Sequence, residues 1–450
     1  MALEKLSLLR FNALAGYARQ PFLALMSVEL FWYATDGEEV LATVLRDNED
    51  QDYAVVCFCR DLLDRYRFAT ISDFKPTLAM AQAEVPKKMK EVLDNFDEQR
   101  VQGDEKGPPV DFFTLVKPAG KHHEKFLRLC EDPLYSPAKG IIESMMRWNP
   151  DTGGNFIEQF QTGSQTGSFG HRLWELYLFA MVTEANMVVT KEHAIPDVCA
   201  KGLFGDVVIE ATTVNPSIGK DKMVVPPPPV GTKEEQESYV RHYMPIKFAG
   251  PLTTKLAKKY WTREHVRGKP LIFAIQDFPD YERQLFSADA LYSYLYGVYM
   301  ESAASELEEI DSHQWGSKAP VPSGFFSLPG SEYVSAVLYN PHASIEKFVR
   351  MGMLAGFGST AVKATRETTS WQNSARGGAL YKVKALVGSN GYEERWMDGM
   401  VVYHNPQALN PLDLKMFAGA AQYYYLEDEG VVLTPPPVLF VQERTTLTLV

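Results

Sequence analysis

The chain reads as a multidomain protein of mixed α/β (α+β) class, and three observations predict this. Its 450 residues exceed what one core organises and suggest two to four domains. Its hydrophobic content of 45% with 23% charged residues is ordinary for globular chains. Helical and strand periodicities alternate along it, with polar or proline-bearing breaks between them.

The first domain is expected over residues 1–130. An opening helix is followed by "EVLATVLRD" and "DYAVVCFCRD", short alternating runs that read as hairpin strands, and then by the helical "PTLAMAQAEVPKKMKEVLDNF". Period-2 spacing puts Cys57 and Cys59 on one strand face, where packing is the expected role because no second pair completes a zinc site. Four cysteines are too few for a disulfide framework in a chain this long. The segment "DNFDEQRVQGDEKGPP" then predicts a frayed helix end and a loop.

The second domain is expected over residues 131–284. "SPAKGIIESMMRWNP" predicts a helix starting at Ser136 and Pro137 and stopping at Pro150, and "FGHRLWELYLFAMVTEAN" a second one with one buried face. Three short strands follow in "MVVT", "PDVCA" and "DVVIEATTV". The insertion at 215–243, with its "PPPP" run and charged tail, is expected to be an irregular flap. "GPLTTKLAKKYWTREHV" predicts a helix with Pro251 at its first position, and "KPLIFAIQDF" a buried strand.

The third region, 285–450, mixes a helix ("ADALYSYLYGVYMESAASELEEI") with the strands "YVSAVLYN" and "MDGMVVYHN", and ends on a last strand. The tyrosines at 292, 294, 296 and 299 are expected to pack rather than form a ligand cage. "GMLAGFGST" reads as a helix end and turn, and the adjacent His122 and His123 of "KHHEK" as solvated surface.

Net charge is −12, which argues against a wholly basic surface, but residues 241–269 hold eight Lys or Arg against one acid, Glu264. That stretch is either a phosphate-facing surface or a solvated helix face. No apolar run of 18 residues occurs, no secretory pattern opens the chain, and a cytoplasmic protein without a membrane partner is expected. Phosphate-loop, HExxH and GxSxG motifs are absent from the sequence.

In "PDVCAKGLFGDVVIEATT" a β-branched strand carries one carboxylate, Glu210, with Asp197 on the neighbouring strand across a glycine-spaced turn. Two carboxylates at one strand edge suit a hard divalent cation such as magnesium. The bland alternative is a turn acid and an edge-strand Glu. Asp206, four residues before Glu210, competes for the same role.

The helix, three strands, helix, strand succession over 155–278, together with "PD" at Pro196–Asp197 and "IEAT" at 209–212, resembles the PD-(D/E)xK nuclease superfamily with its restriction-endonuclease-like αβββαβ core. The resemblance covers about a third of the chain. It implies a metal-dependent nuclease using Mg2+ or Mn2+, with DNA favoured over RNA, in a setting of bacterial antiviral defence. The metal ligands it implies are Asp197 and Glu210, with Glu175 from the preceding helix, whose alternative reading is an ordinary amphipathic-helix residue. The family's lysine position holds Thr212, which can hold a water but carries no charge. Some members place the lysine on the following helix, making Lys255 the expected substitute with Lys247 behind it. The alternative is a catalytically inactive nuclease-like fold that serves as a binding or scaffold subunit. The flanking domains would supply target selection, a homo-oligomer contact or a protein partner.

Overall fold

A computed structural model of the chain describes residues 3–118, 120–149, 155–162, 168–190, 192–299, 307–317, 319–372, 379–426, 430–436 and 438–450. Pro150, expected to stop a helix, lies outside them, as do residues 300–306 of the helix expected after residue 285.

The N-terminal part is a five-stranded antiparallel sheet in chain order, formed by β1 (Leu3–Leu6), β2 (Ser27–Thr35), β3 (Val40–Asp47), β4 (Tyr53–Arg60) and β5 (Tyr66–Ile71). Alternation sends Val40, Ala42, Val44, Cys57 and Cys59 to one face, against Val85, Met89 and Val92 of α2 (Leu78–Asp94). The opposite face packs on Phe11 and Leu14 of α1 (Leu8–Ala15). Both cysteines are buried core residues, in line with the sequence.

The centre is an eight-stranded mixed sheet that takes strands from both sides of residue 284. Its members are β6 (Val188–Thr190), β7 (Val198–Gly202), β8 (Gly205–Thr213), β9 (Leu271–Gln276), β10 (Ala336–Tyr339), β11 (Val401–His404), β12 (Ala421–Leu426) and β13 (Gly430–Thr434). Their spatial order is β13-β12-β11-β10-β9-β8-β7-β6. Strands β8, β9 and β10 run parallel, and β6 and β7 are antiparallel to their neighbours. Every residue of β9 is buried, as a central strand covered on both faces requires. Its Ile272 and Ala274 meet α3 (Ser136–Trp148), α4 (Phe156–Thr162) and α5 (Ser168–Glu184), whereas Phe273 and Ile275 meet α6 (Met244–Ala257) and α7 (Gln284–Tyr296). A further helix, α8 (Ile345–Leu354), lies on the α3 side.

The sequence reading is corrected at four elements. Helix α5 is buried all round from Leu173 to Val182, because it lies between the sheet, α3 and the segment around Trp396; Trp174 Nε1 donates to Ala274 O at 3.1 Å and Tyr177 Oη to Trp396 O at 2.5 Å. The charged tail of the 215–243 insertion is helical over Lys233–Ser238, since Thr232 and Glu235 form a reciprocal capping box. That helical run continues through 239–243 into α6, so α6 starts at Met244 and Pro251 lies in its interior rather than at its first position. Helix α7 stops at Tyr296 because Gly297 takes φ 72°, the left-handed conformation that ends a helix.

A separate three-stranded sheet is formed by β14 (Val362–Gln372), β15 (Ala379–Leu386) and β16 (Val438–Leu449), in the order β15-β14-β16. The tyrosines of α7 pack as expected: Tyr294 is buried, and Tyr292 and Tyr296 have ring centroids 5.1 Å apart. His123 departs from the surface reading. It caps the helix Glu124–Glu131 and stacks on Phe169 with ring centroids 5.1 Å apart. Among the described residues no helix is long and apolar enough to cross a membrane.

Candidate metal centre

The β7–β8 register pairs Val198 with Ile209, so Asp197, one residue before β7, stands opposite Glu210. Residues opposite each other on an antiparallel pair share a sheet face. Asp197 Oδ2 accepts a hydrogen bond from Ala211 N at 2.8 Å, which fixes the carboxyl at the end of the β7 ladder. Thr212 is buried two residues beyond Glu210, on the same face by strand alternation.

Glu210 faces α6. Its Oε1 accepts from Lys255 Nζ, and from Tyr260 Oη at 2.6 Å. Its Oε2 is buried with no hydrogen-bond partner among the described residues. Lys247 goes elsewhere: its Nζ donates to Asn215 O at 2.7 Å and Ser217 Oγ at 3.1 Å, pinning the start of the insertion. Of the two lysines weighed from sequence, the fold brings Lys255 to the acid. Asp206 lies at the start of β8, paired with Lys269 at 3.3 Å, and takes no part.

Glu175 approaches Asp197 from α5. His171, one helical turn earlier, places Nε2 3.1 Å from Glu175 Oε1, and Arg172 Nη1 donates to both carboxylate oxygens at 2.6 and 2.8 Å. Burial disfavours the charge on Glu175, but His171 and Arg172 more than offset it and hold this carboxyl below its usual range. Asp197 goes the other way. Burial first, then Glu175 and Glu210, push its carboxyl up to about 7 against partial relief from His171 and Lys255. Burial and the bond to Glu210 raise the Tyr260 phenol, so it stays a donor.

Donor atoms of His171, Glu175 and Asp197 all lie within 4.8 Å of one another. That is close to the span across one ion's coordination shell. Two carboxylate oxygens and an imidazole fit a divalent cation, and the nitrogen favours manganese over magnesium. Glu210 stands outside this group of three, tied to Lys255 but with one oxygen unspent.

His171, Arg172 and Tyr260 were missed by sequence reasoning. His171 was legible, because it precedes Glu175 by four residues on one helix face. Tyr260 was not, because the chain leaves the helix at Lys259, whose φ of 47° turns it back toward Glu210.

The basic segment after α6 borders this centre. Lys258, Lys259, Arg263 and Arg267 are exposed. His265 stacks on His193 with ring centroids 3.8 Å apart, and its Nε2 lies 2.8 Å from Ile195 O, which ties this turn to the loop carrying Asp197. No family model, curated protein or solved structure matches the chain.

Proposed function

We propose that this protein is a metal-dependent nuclease built on a restriction-endonuclease-like αβββαβ core, hydrolysing phosphodiester bonds with DNA favoured as substrate. The observation that carries the reading is Lys255 reaching Glu210 from α6. It returns a cation to the acidic strand pair although Thr212 occupies the position two residues after the Glu. The element order from α5 to β9 supports the same core.

In this reading Asp197, Glu175 and His171 would hold Mn2+ or Mg2+, and Glu210 would extend the site through its unspent oxygen. When bound, such an ion supplies Lewis acidity at the phosphate and eases deprotonation of the attacking water. Lys255 places positive charge beside the reacting phosphate, Tyr260 and Lys255 orient Glu210, and Arg172 keeps Glu175 ionised. Lys258, Lys259, Arg263 and Arg267 contact backbone phosphates flanking the scissile one. The setting this activity suits is bacterial defence against foreign DNA, in the cytoplasm, with the flanking regions selecting the target or assembling copies of the chain.

The test is incubation of the full chain with single-stranded and duplex DNA and RNA, in manganese, magnesium or chelator. Metal-dependent cutting is expected, falling by about 100-fold or more in Asp197→Ala, Glu210→Ala and Lys255→Met, as loss of a group acting on the reacting atoms typically does. Calorimetric manganese binding without cleavage of any of these substrates would instead favour the inactive binding subunit.

A further inference from the structure

A cavity of 390 Å³ opens at the carboxyl ends of the parallel strands β9 and β10, with Phe169, Gly170 and Leu173 of α5 also in its wall. Its walls come from the segments that leave those strands, Phe278 to Tyr281 and Pro341 to Ser344, and from the first residues of α7 and α8, Gln284 and Ile345. The carboxyl ends of parallel strands are where open α/β sheets bind ligands, and helix starts favour negative charge. The volume falls in the range of small-molecule sites, about 300–1,000 Å³.

The electrostatics select an anion. Lys125, Arg128, Arg350 and Arg444 line the cavity with Glu346 and Glu443, on a protein whose net charge is −12; Arg350 is engaged by Glu394 and Glu443 and Arg444 by Glu367, so Lys125 and Arg128 are the cations offered to a ligand. Arg350 is fully buried beneath the cavity wall, in a cluster with Lys347, Arg366, Glu394 and Glu443. Lys125 and Arg128 are exposed at the rim.

The remaining walls favour a flat ring. Phe278 has φ 48°, a conformation costly for a bulky side chain and one that recurs at ligand sites. It is held there by Gln276 Oε1, which accepts from Phe278 N at 2.9 Å, and its ring lies so close to Gly170 that a Cβ there would come within 2.8 Å. Tyr281 is steadied by the Arg444 guanidinium 5.3 Å from its ring centroid. His342 also lines the cavity, is 3% exposed, and leaves Nδ1 without a hydrogen-bond partner among the described residues. Its Nε2 lies 3.3 Å from the Phe440 carbonyl, which makes Nε2 the protonated nitrogen and Nδ1 an acceptor.

We infer that this cavity binds a nucleoside monophosphate or a close relative: phosphate toward Lys125 and Arg128, and base against Phe278 and Tyr281. The inference does not rest on the nuclease reading. Calorimetry of the full chain in chelator keeps any metal-dependent chemistry silent, with adenosine and uridine monophosphates as probes and inorganic phosphate and adenosine as controls. Binding of the monophosphates is expected, weakened about tenfold or more in the double variant Lys125→Glu/Arg128→Glu, since charge-assisted contacts dominate such recognition. The thermal transition of that rim variant should stay unchanged. No binding of either monophosphate at millimolar concentration, equal affinity in the rim variant, or equal affinity for adenosine or inorganic phosphate would each overturn the assignment.

Discussion

Lys255 and Glu210 are 45 positions apart, and their contact is nearly buried, with side-chain exposures of 14% and 6%. Taking one partner of such a pair away leaves a charge without compensation in a low-dielectric setting. Lys255→Met is therefore expected to cost about 3 kcal/mol of stability, read as a lower midpoint in urea unfolding. Lys247→Met is the contrast, because its exposed bond to Asn215 O is worth about 1 kcal/mol or less. Equal losses in the two variants would remove the case for a buried ion pair at Glu210. The odd carboxylate in a buried strand was visible in the sequence, as was Asp197 beside it. What answers Glu210 was only narrowed to two lysines, since both lie on the same stretch and differ in which way the folded helix turns them.

Among the elements, the short helix Lys233–Ser238 shows how a local signal was outweighed. The proline run just before it predicts irregular chain, yet Thr232 and Glu235 stand at the spacing of a capping box. Glu235 Oε2 accepts from Thr232 N at 3.0 Å, and Glu235 N donates to Thr232 Oγ1 at 3.2 Å. Thr232→Ala should destabilise this turn by about 1 kcal/mol, seen as roughly fivefold faster amide exchange over 233–238 with the exchange of β9 unaltered. Unchanged exchange in that segment would mean the cap contributes nothing. Helix α5 illustrates the reverse case. Its apolar spacing gave its length well, but periodicity cannot report burial on every side, because that depends on what Trp396 and α3 bring from far along the chain.

For the molecule as a whole, the buried cluster of Lys347, Arg350, Arg366, Glu394 and Glu443 joins α8, β14 and β16 to the segment before Trp396. Burial alone would raise the Glu443 carboxyl, but Arg350 and Arg366 pull it down to about 2, and Glu394 is likewise held well below its usual range. Both pKa values are lower folded than unfolded, where a glutamate titrates at about 4.3. The stability they confer is thus complete above that value and lost as pH falls toward about 2. Asp197 and Asp277 have raised values, about 7 and about 6, so they take up their protons above this window and do not mask it. A steep fall in urea midpoint between about pH 4.3 and 2 is expected, shallower in Glu443→Gln. A midpoint flat across that range would show that the cluster does not hold the sheets together.

Neither the reach of the central sheet nor the partners at its edge follow from local sequence patterns, whereas the individual elements do. Strand alternation in β3 and β4, helical spacing in α2, the unbroken apolar run of β9 and the lone Glu210 in β8 are properties of neighbouring residues, and covalent geometry turns them into elements wherever they occur. Eight strands drawn from residues 188 to 434 forming one sheet, His171 and Tyr260 arriving at the two acids from opposite sides, and a basic cavity opening where β9 and β10 end are matters of strand order. They depend on contacts between distant segments, and such contacts are selected by how whole faces bury against one another.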